Sequence, residues 1–332
     1  MSSDTQSVPG PKAPTTLDVQ RRKGLTRARL GQAAFPIALL VMIVLGLIFY
    51  PNFRTVSGLL DILSFSAILL IVSLGQTLVV LGRGADLSVG SMAGFGGAVF
   101  AVLLTKGWPM WLSMLAALLL GLGIGFLVHG VLITKLKISF LIVTLGSFSI
   151  LRSLAQVVLA GQSITIDAPP LDWLANGRTI GVPNLVWLAG LLYLVTVLLL
   201  RCTGYGRALY AVGSNPVAAR LAGLPVDRVI MISYGVSGLL AAFAGLLIVG
   251  QLGSAQPTAG SGLELSALAA VLLGGTRFSG GSGSVTRTLT GVLFLGVLNN
   301  LLFIAGVSSF WQGTASGVAL IAAVAVDRSR QD

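Results

Sequence analysis

The sequence predicts an all-α, polytopic membrane protein of about ten transmembrane helices. Of its 332 residues, 55% are apolar and only 9% are charged, and the mean hydropathy is +0.94. A soluble domain carries roughly 25% charged residues, so this chain lacks the polar surface that water requires. Its apolar stretches are continuous and long enough for helices that cross a hydrocarbon layer of roughly 30 Å. They lack the alternation of a membrane β-barrel strand.

Ten apolar stretches are candidate spans. They cover residues 33–50, 59–81, 87–104, 111–134, 138–159, 185–200, 229–250, 264–276, 288–306 and 311–326. The third is rich in glycine and the eighth is short, so we expect broken or short helices near residues 86–104 and 264–276. Such segments are tolerated at membrane depth only where protein or a water-filled cavity surrounds them.

The distribution of Lys and Arg predicts that both ends of the chain are cytoplasmic. With the N-terminus inside, most of the 21 basic residues fall in cytoplasmic segments, as the positive-inside rule requires. Only Arg54, Lys106 and Arg178 fall in outer loops, and Arg152 lies within a span. The net charge of +11 is therefore explained by contact with the anionic inner leaflet of membrane lipid. No nucleic-acid partner is required.

Residues 1–32 are predicted to be a disordered, basic cytoplasmic tail, and residues 33–328 a single transmembrane domain. The tail combines three prolines with a basic cluster over 21–29, a composition that cannot form a packed core. The first span continues to Tyr50 without the short apolar region of a cleaved signal, so we interpret it as an uncleaved anchor.

Catalytic and metal-binding motifs are absent from the sequence, and the chain is not predicted to be an enzyme. It has no GxxxxGK[ST] phosphate loop and so does not use ATP in the usual way by itself. Cys202 is the only cysteine, which excludes an intrachain disulfide and a cysteine metal site. His129 is the only histidine, and we interpret it as a packing or helix-end residue.

The longest polar segment between spans, residues 201–228, predicts a short amphipathic helix on the cytoplasmic face. The sequence GSNP at 213–216 is typical of a helix start, because Ser or Asn caps free amides and Pro suits the first turn. Gly223 and Pro225 end the helix, which is expected over about 213–223. The helix either rests near anionic headgroups or docks a cytoplasmic partner.

Two short segments that begin with an acid indicate an internal repeat. DLSVGSMAGFGG at 86–97 aligns with ELSALAAVLLGG at 264–275. These segments belong to the third and eighth spans, which run in opposite directions because five crossings separate them. We therefore expect spans 1–5 and 6–10 to form an inverted repeat. In both segments the acid precedes the helix and is interpreted first as a cap. The alternative is that Asp86 or Glu264 lines a solute path.

Polar side chains within spans are the other candidates for a solute path. Buried amides and charges need partners in lipid and tend to face the interior of a bundle. Hydrogen bonding between helices is the structural alternative for each of them. The candidate pathway residues are Gln76, Asp86, Ser88, Arg152, Glu264, Asn299, Asn300 and Gln312.

Five long stretches, in order, resemble the permease subunit of ribose-type ATP-binding-cassette sugar importers. They are GADLSVGS at 84–91, TLGSFSILRSLA at 144–155, GRALYAVGSNPVAARLAGL at 206–224, GSAQPTAGSGLELSALAAVLLGGTRFSGGSGSV at 253–285 and GVLNNLLFIAGVSSFWQG at 296–313. The sequence departs from the family pattern at Ala85, where isoleucine is usual, and at 263–266, where Tyr-Glu-Leu-Asp is usual. Both departures touch potential substrate positions.

The resemblance implies a division of labour among subunits of a bacterial inner-membrane complex. Two permease copies, identical or paralogous, would form the pathway for a monosaccharide. A periplasmic sugar-binding protein would deliver it, and a separate cytoplasmic ATPase would hold ATP and Mg²⁺. No cofactor is expected in this chain. The predicted residues for coupling to the ATPase are Gly213, Ser214, Asn215, Pro216, Ala219, Arg220 and Gly223.

Two other transporter classes compete with the sugar-importer interpretation. A permease for branched-chain amino acids or another small polar solute belongs to the same superfamily, and only the DLSVGS and GVSSFWQ stretches favour sugars. An ion-coupled secondary transporter usually needs an acid or histidine at membrane depth for coupling. Clear mid-span acids are missing from this sequence.

Overall fold

The computed structural model describes residues 36–308 and 310–328, which are mostly helical. The helices are α1 (Pro36–Phe49), α2 (Val56–Leu81), α3 (Val89–Thr105), α4 (Met110–Thr134), α5 (Phe140–Val158), α6 (Pro169–Asn176), α7 (Asn184–Cys202), α8 (Gly204–Ser214), α9 (Pro216–Leu221), α10 (Val226–Leu252), α11 (Leu263–Leu273), α12 (Val285–Ile304) and α13 (Phe310–Arg328). The strands are β1 (Ile164–Thr165), β2 (Arg178–Thr179), β3 (Val182–Pro183) and β4 (Ser254–Ala255). The predicted N-terminal tail lies outside the described residues.

Within residues 36–308 and 310–328, six helices are long and apolar enough to cross a membrane, and they confirm the predicted all-α, polytopic class. They are α2, α4, α5, α7, α10 and α12, and α1, α3 and α11 are shorter apolar helices. Helix α3 has 17 residues and α11 has 11. The shorter of these falls well below the ~20 residues that a full crossing needs, in agreement with the short segment expected there.

Side chains cap the starts of several helices at the places where the sequence turns polar. Thr55 Oγ1 accepts a hydrogen bond from Gly58 N at 3.0 Å at the start of α2. Ser284 Oγ accepts one from Arg287 N at 3.3 Å at the start of α12. These contacts satisfy amides that have no partner within the helix.

Helices α2, α3 and α10 form the centre of the bundle. Every residue from Ser66 to Leu81 in α2 is buried, and α3 is buried from Val89 to Ala98. Helix α10 packs against α2, α3 and α4. Small residues allow these close approaches: a Cβ on Gly245 in α10 would overlap the carbonyl oxygen of Ala93 in α3.

A Gly245→Ala variant should therefore lower the thermal stability of the detergent-purified protein. The added methyl group would meet backbone atoms that cannot rotate away, and overpacking of this kind typically costs about 1–3 kcal/mol. Gly190→Ala in α7 is the matched control, because a Cβ there would have no neighbour within 4 Å. Thermal unfolding followed by fluorescence measures both variants. Equal melting temperatures would contradict the packing described at the α3–α10 crossing.

Two small antiparallel sheets lie in the connections outside the helices. Strands β1 and β4 pair Ile164 with Ala255 and Thr165 with Ser254, and β2 pairs with β3 as a hairpin. Helix α10 has 27 residues and is about 40 Å long at 1.5 Å per residue. Since α9 precedes its first residue and β4 follows its last, the β1–β4 pair and α9 lie at opposite ends of the bundle.

Candidate functional site

Helix α9 is a short surface element at the corner that follows α8. Asn215 is its N-cap, and its Oδ1 atom accepts hydrogen bonds from Val217 N and Ala218 N, both at 3.0 Å. The helix is shorter than the predicted 213–223. Gly213 and Ser214 end α8 instead, because Asn215 adopts an extended backbone between the two helices.

The outer surface of α9 is apolar, and its base is held by charges. Val217 and Leu221 are 69% and 86% exposed. Arg220 Nη2 lies 2.7 Å from Asp227 Oδ1 at the start of α10, and Lys135 Nζ lies 3.0 Å from Asp227 Oδ2. These ion pairs connect α9 to α10 and to the α4–α5 connection. Of the other predicted coupling residues, Ala219 lies on the buried face of α9, and Pro216 begins the helix. Gly223 follows it with a φ of +80°.

Two tyrosines fix α8 to its neighbours. Tyr205 Oη lies 2.8 Å from Ser233 Oγ in α10, and Tyr210 Oη donates to the carbonyl oxygen of Gly283 at 3.0 Å. Burial raises the pKa of Tyr205 to about 12, and burial also raises the pKa of Tyr210, against the opposing effect of Arg201. Both phenols therefore stay neutral near pH 7 and remain hydrogen-bond donors.

A cavity of about 520 Å³ lies between α2, α11, α12 and α13. Its volume falls in the range of small-molecule sites. Asn299 and Asn300 line it, and the buried Oδ1 atom of each has no hydrogen-bond partner among the residues that the structure describes. Phe65 and Phe303 contribute an aromatic pair with ring centroids 6.4 Å apart. The other lining residues are Ile68, Leu69, Ser261, Gly262, Leu263, Leu265, Ser266, Gly296, Gly313 and Ser316.

Glu264 lies beside this cavity, in the first turn of α11. The prediction that this acid precedes its helix is wrong, because α11 begins at Leu263. Its Oε1 atom accepts a hydrogen bond from Gly262 N at 3.1 Å. Its Oε2 atom has no hydrogen-bond partner in the described part of the chain and lies against Gly90 of α3. Gln312 belongs to α13, and its side chain lies outside the described residues.

Arg152 is bound to a connection between helices and does not line the cavity. Its Nη1 atom donates to the carbonyl oxygens of Ala259 at 3.0 Å and Pro257 at 3.4 Å. Its guanidinium carbon lies 5.8 Å from the centre of the Phe148 ring. Arg152 thus ties α5 to the β4–α11 connection, which is one way to satisfy a guanidinium at the edge of an apolar bundle.

Asp86 is the centre of a buried polar cluster away from the cavity. Its Oδ1 atom accepts hydrogen bonds from Ser88 N at 3.0 Å and Ser88 Oγ at 2.6 Å. Its Oδ2 atom accepts one from Ser237 Oγ of α10 at 3.0 Å. The acid precedes α3, which begins at Val89, and it binds a free amide, as expected of a cap. Gln76 is also fully buried, and its amide has no partner among the described residues.

His129 and Tyr234 complete the Asp86 cluster, and no sequence pattern predicted their place in it. His129 Nδ1 lies 3.9 Å from Asp86 Oδ2, and its ring meets Tyr234 edge-on at 6.1 Å between centroids. His129 ends a π-helical segment of α4, Ile124–His129. Such segments are frequent at functional sites, but no sequence pattern marks the extra residue that they insert into the helix. The one available signal was a lone histidine in an apolar stretch.

Comparisons with known proteins place the whole chain among membrane permeases. A family described as "Branched-chain amino acid transport system / permease component" matches residues 58–324. The ribose import permease protein RbsC of Escherichia coli (strain K12) is 41% identical over 321 residues, which cover 96% of this chain and 100% of that protein. RbsC of Bacillus subtilis (strain 168) is 37% identical, over 89% of this chain and 92% of that protein. The autoinducer 2 import system permease protein LsrC of Photorhabdus luminescens is 34% identical, over 80% of each.

Proposed function

This chain belongs to the ribose-type permease family of ATP-binding-cassette importers, and we propose that it forms the membrane pathway for a monosaccharide. It is a transport subunit and not an enzyme, as predicted from its lack of catalytic motifs. The observation that carries the proposal is the similarity to ribose import permeases at 41% identity over 96% of the chain. We place it in the bacterial inner membrane with both termini in the cytoplasm.

The chemistry of the cavity supports a sugar as the solute. Of the described residues that line it, none is charged, whereas an amino acid is a zwitterion and needs opposite charges for both of its ends. A sugar instead presents neutral hydroxyl groups and an apolar face. The side-chain amides of Asn299 and Asn300, which line the cavity, can hydrogen-bond to hydroxyls, and Phe65 and Phe303 can cover the apolar face.

These contacts separate the predicted pathway residues into two groups. We assign Asn299 and Asn300 to the pathway, with Gln312 on the adjoining α13. Glu264 does not line the cavity, and its Oε2 atom lies against Gly90 of α3, so we assign it to helix packing. Asp86, Ser88 and Arg152 are instead engaged with protein atoms, and we assign them structural roles. Gln76 is buried outside the cavity, and we assign it to helix packing.

We propose ten crossings arranged as an inverted repeat of α1–α5 and of α7 with α10–α13. The packing of the helices supports this arrangement. Helix α3 packs against α4 and α5, as α11 packs against α12 and α13. Helix α3 of the first half also packs against α10 of the second, and α11 of the second packs against α2 of the first. An inverted repeat produces this exchange of partners.

The assembly of an ATP-binding-cassette importer includes an ATPase and a solute-binding protein. We propose that α9 is the coupling helix that enters a cleft of the ATPase, which supplies ATP and Mg²⁺. A second permease copy, identical or paralogous, would complete the pathway, and a periplasmic sugar-binding protein would deliver the solute. ATP-driven closure would move the attached helices as rigid bodies between outward-open and inward-open states.

Vesicle transport tests the function directly. Vesicles that contain this chain with its ATPase, and that receive the sugar-binding protein outside, should accumulate labelled ribose only when ATP is supplied at the ATPase side. A non-hydrolysable ATP analogue is the control and should give no accumulation. Accumulation of the solute by this chain alone, driven by an ion gradient, would contradict the proposal.

A further inference from the structure

The connection between α2 and α3, residues 82–88, contains an arginine with an unusual backbone conformation. Arg83 has a φ of +70°, a left-handed conformation that is uncommon for residues other than glycine. Its Nε atom donates to the carbonyl oxygen of Gly213 at 2.7 Å, and its Nη2 atom donates to that of Ser214 at 2.9 Å. These carbonyls end α8, just before α9. A backbone held in a sparsely populated region persists only where its surroundings determine it.

The same corner is packed against the end of α2 and the connection after α11. A Cβ on Gly213 would overlap the carbonyl oxygen of Leu81 and would lie 2.5 Å from Gly281 N. Gly281 N donates to the Leu81 oxygen at 2.9 Å. The end of α8, the end of α2 and the Gly281 connection therefore touch through backbone atoms. Residues 81–83 are therefore in direct contact with the α8–α9 corner.

The other end of the α2–α3 connection is bound in the core. Asp86 lies three residues after Arg83 and is bonded to Ser237 of α10 at 3.0 Å. Gly84 lies against the Tyr234 hydroxyl, where a Cβ would overlap that oxygen. Three residues span at most about 10 Å, so the chain segment that connects the surface corner to the buried cluster is short.

We propose that residues 83–88 form a mechanical link that carries displacement of α9 to the buried cluster of Asp86, Ser237 and His129. Arg83 is a positioning residue at the surface end of this link, and Asp86 is its anchor on α10. The inference rests on the proposed docking of the ATPase at α9, and it adds a path by which that force reaches the centre of the bundle.

The ion pairs at Asp227 offer a second path from α9, but a less directional one. The side chains of Arg220 and Lys135 are 58% and 60% exposed, and exposed pairs contribute little. The Arg83 guanidinium instead makes two hydrogen bonds in a fixed fork, which is more directional than a lysine ammonium. Its Nε bond is partly buried.

An Arg83→Ala variant should keep the complex assembled and hydrolysing ATP but should lose transport per ATP hydrolysed. We expect this ratio to fall about tenfold, within the usual range of coupling between sites. Arg83→Lys should recover only part of it, because an ammonium does not reproduce the guanidinium fork. Arg207→Ala is the control, since Arg207 is an exposed arginine of α8. Co-purification of the ATPase, ATP hydrolysis and sugar uptake are measured in the same vesicles.

A double-mutant cycle with Ser237→Ala separates the link from a local structural effect. Changes that act along one path are not additive, whereas independent distant changes add. The Arg83→Ala/Ser237→Ala variant should therefore lose no more transport per ATP than the more impaired single variant. Additive losses, or an unchanged ratio in Arg83→Ala, would overturn the link. Failure of the wild-type ATPase to bind at α9 would instead overturn the proposed function.

Discussion

A Leu221→Glu variant should no longer bind its ATPase and should lose ATP-driven uptake. Leu221 is 86% exposed at the end of α9, and its side chain therefore has little packing to lose within this chain. A leucine that inserts into a cleft of a partner typically contributes about 2 kcal/mol or more when it is a central contact. A buried carboxylate in its place would add a desolvation cost. We expect association to weaken at least about thirtyfold.

The measurement is co-purification of the ATPase with the permease, followed by uptake into vesicles. Ile180→Glu is a matched control, because Ile180 is 90% exposed in the turn of the β2–β3 hairpin. That hairpin precedes α7, whereas α9 follows it, so a helix of 19 residues separates the two sites. The control should assemble normally. Normal assembly of Leu221→Glu would exclude α9 as the docking element.

An Asn299→Leu/Asn300→Leu double variant should lose most of its sugar uptake, while ATP hydrolysis continues. Leucine has the same number of side-chain heavy atoms and the same branching as asparagine, and it removes the polar amides of two residues that line the cavity. A sugar hydroxyl left without a partner in the cavity costs about 1–3 kcal/mol. Uptake should therefore fall about ten- to a hundredfold.

Thr290→Val provides the control on the same helix. Thr290 lies in α12 and bonds only to the Arg287 carbonyl oxygen, at 2.6 Å, and it does not line the cavity. Its uptake should equal that of the unchanged protein. Because leucine also removes two buried oxygens that have no partner among the described residues, the double leucine variant should melt no lower than the parent. Full uptake by the double variant would show that the cavity is not on the sugar path.

The sequence was sufficient for the class of the fold because membrane helices obey a strong length and composition rule. Apolar runs identified α2 and α10, and the glycine-rich start at residue 86 indicated that α3 is short. Helix ends were less accurate. Gly213 and Ser214 suit a helix start by composition, but α8 continues through them because Arg83 and Gly281 bind that end. Tertiary contacts of this kind leave no local pattern.

The family and the permease function were also predicted correctly, from long matches in order. Individual roles were harder to infer. The sequence predicts both Asp86 and Asn300 as polar residues at membrane depth. In the structure Asp86 accepts three hydrogen bonds, whereas the Asn300 oxygen accepts none from the described residues. Only the structure separates a satisfied group from a free one. The positive-inside rule explained Arg83 only as a basic residue of a cytoplasmic loop. Its contacts could not be predicted from nearby residues, because its two acceptors lie 130 residues or more along the chain.

The pairing of β1 with β4 has a geometric consequence for how the bundle widens. This pair and the bonds from Arg152 to Pro257 and Ala259 join α5 to the segment after α10. They therefore form a closed edge at the end farthest from α9. The cavity lies between other helices, α2, α11, α12 and α13. Ser261 and Gly262 of the same connection line the cavity on one side, and Asn299 and Asn300 of α12 line it on another. We therefore expect the bundle to widen more on the α12 side than on the side that Arg152 and the β1–β4 pair hold together.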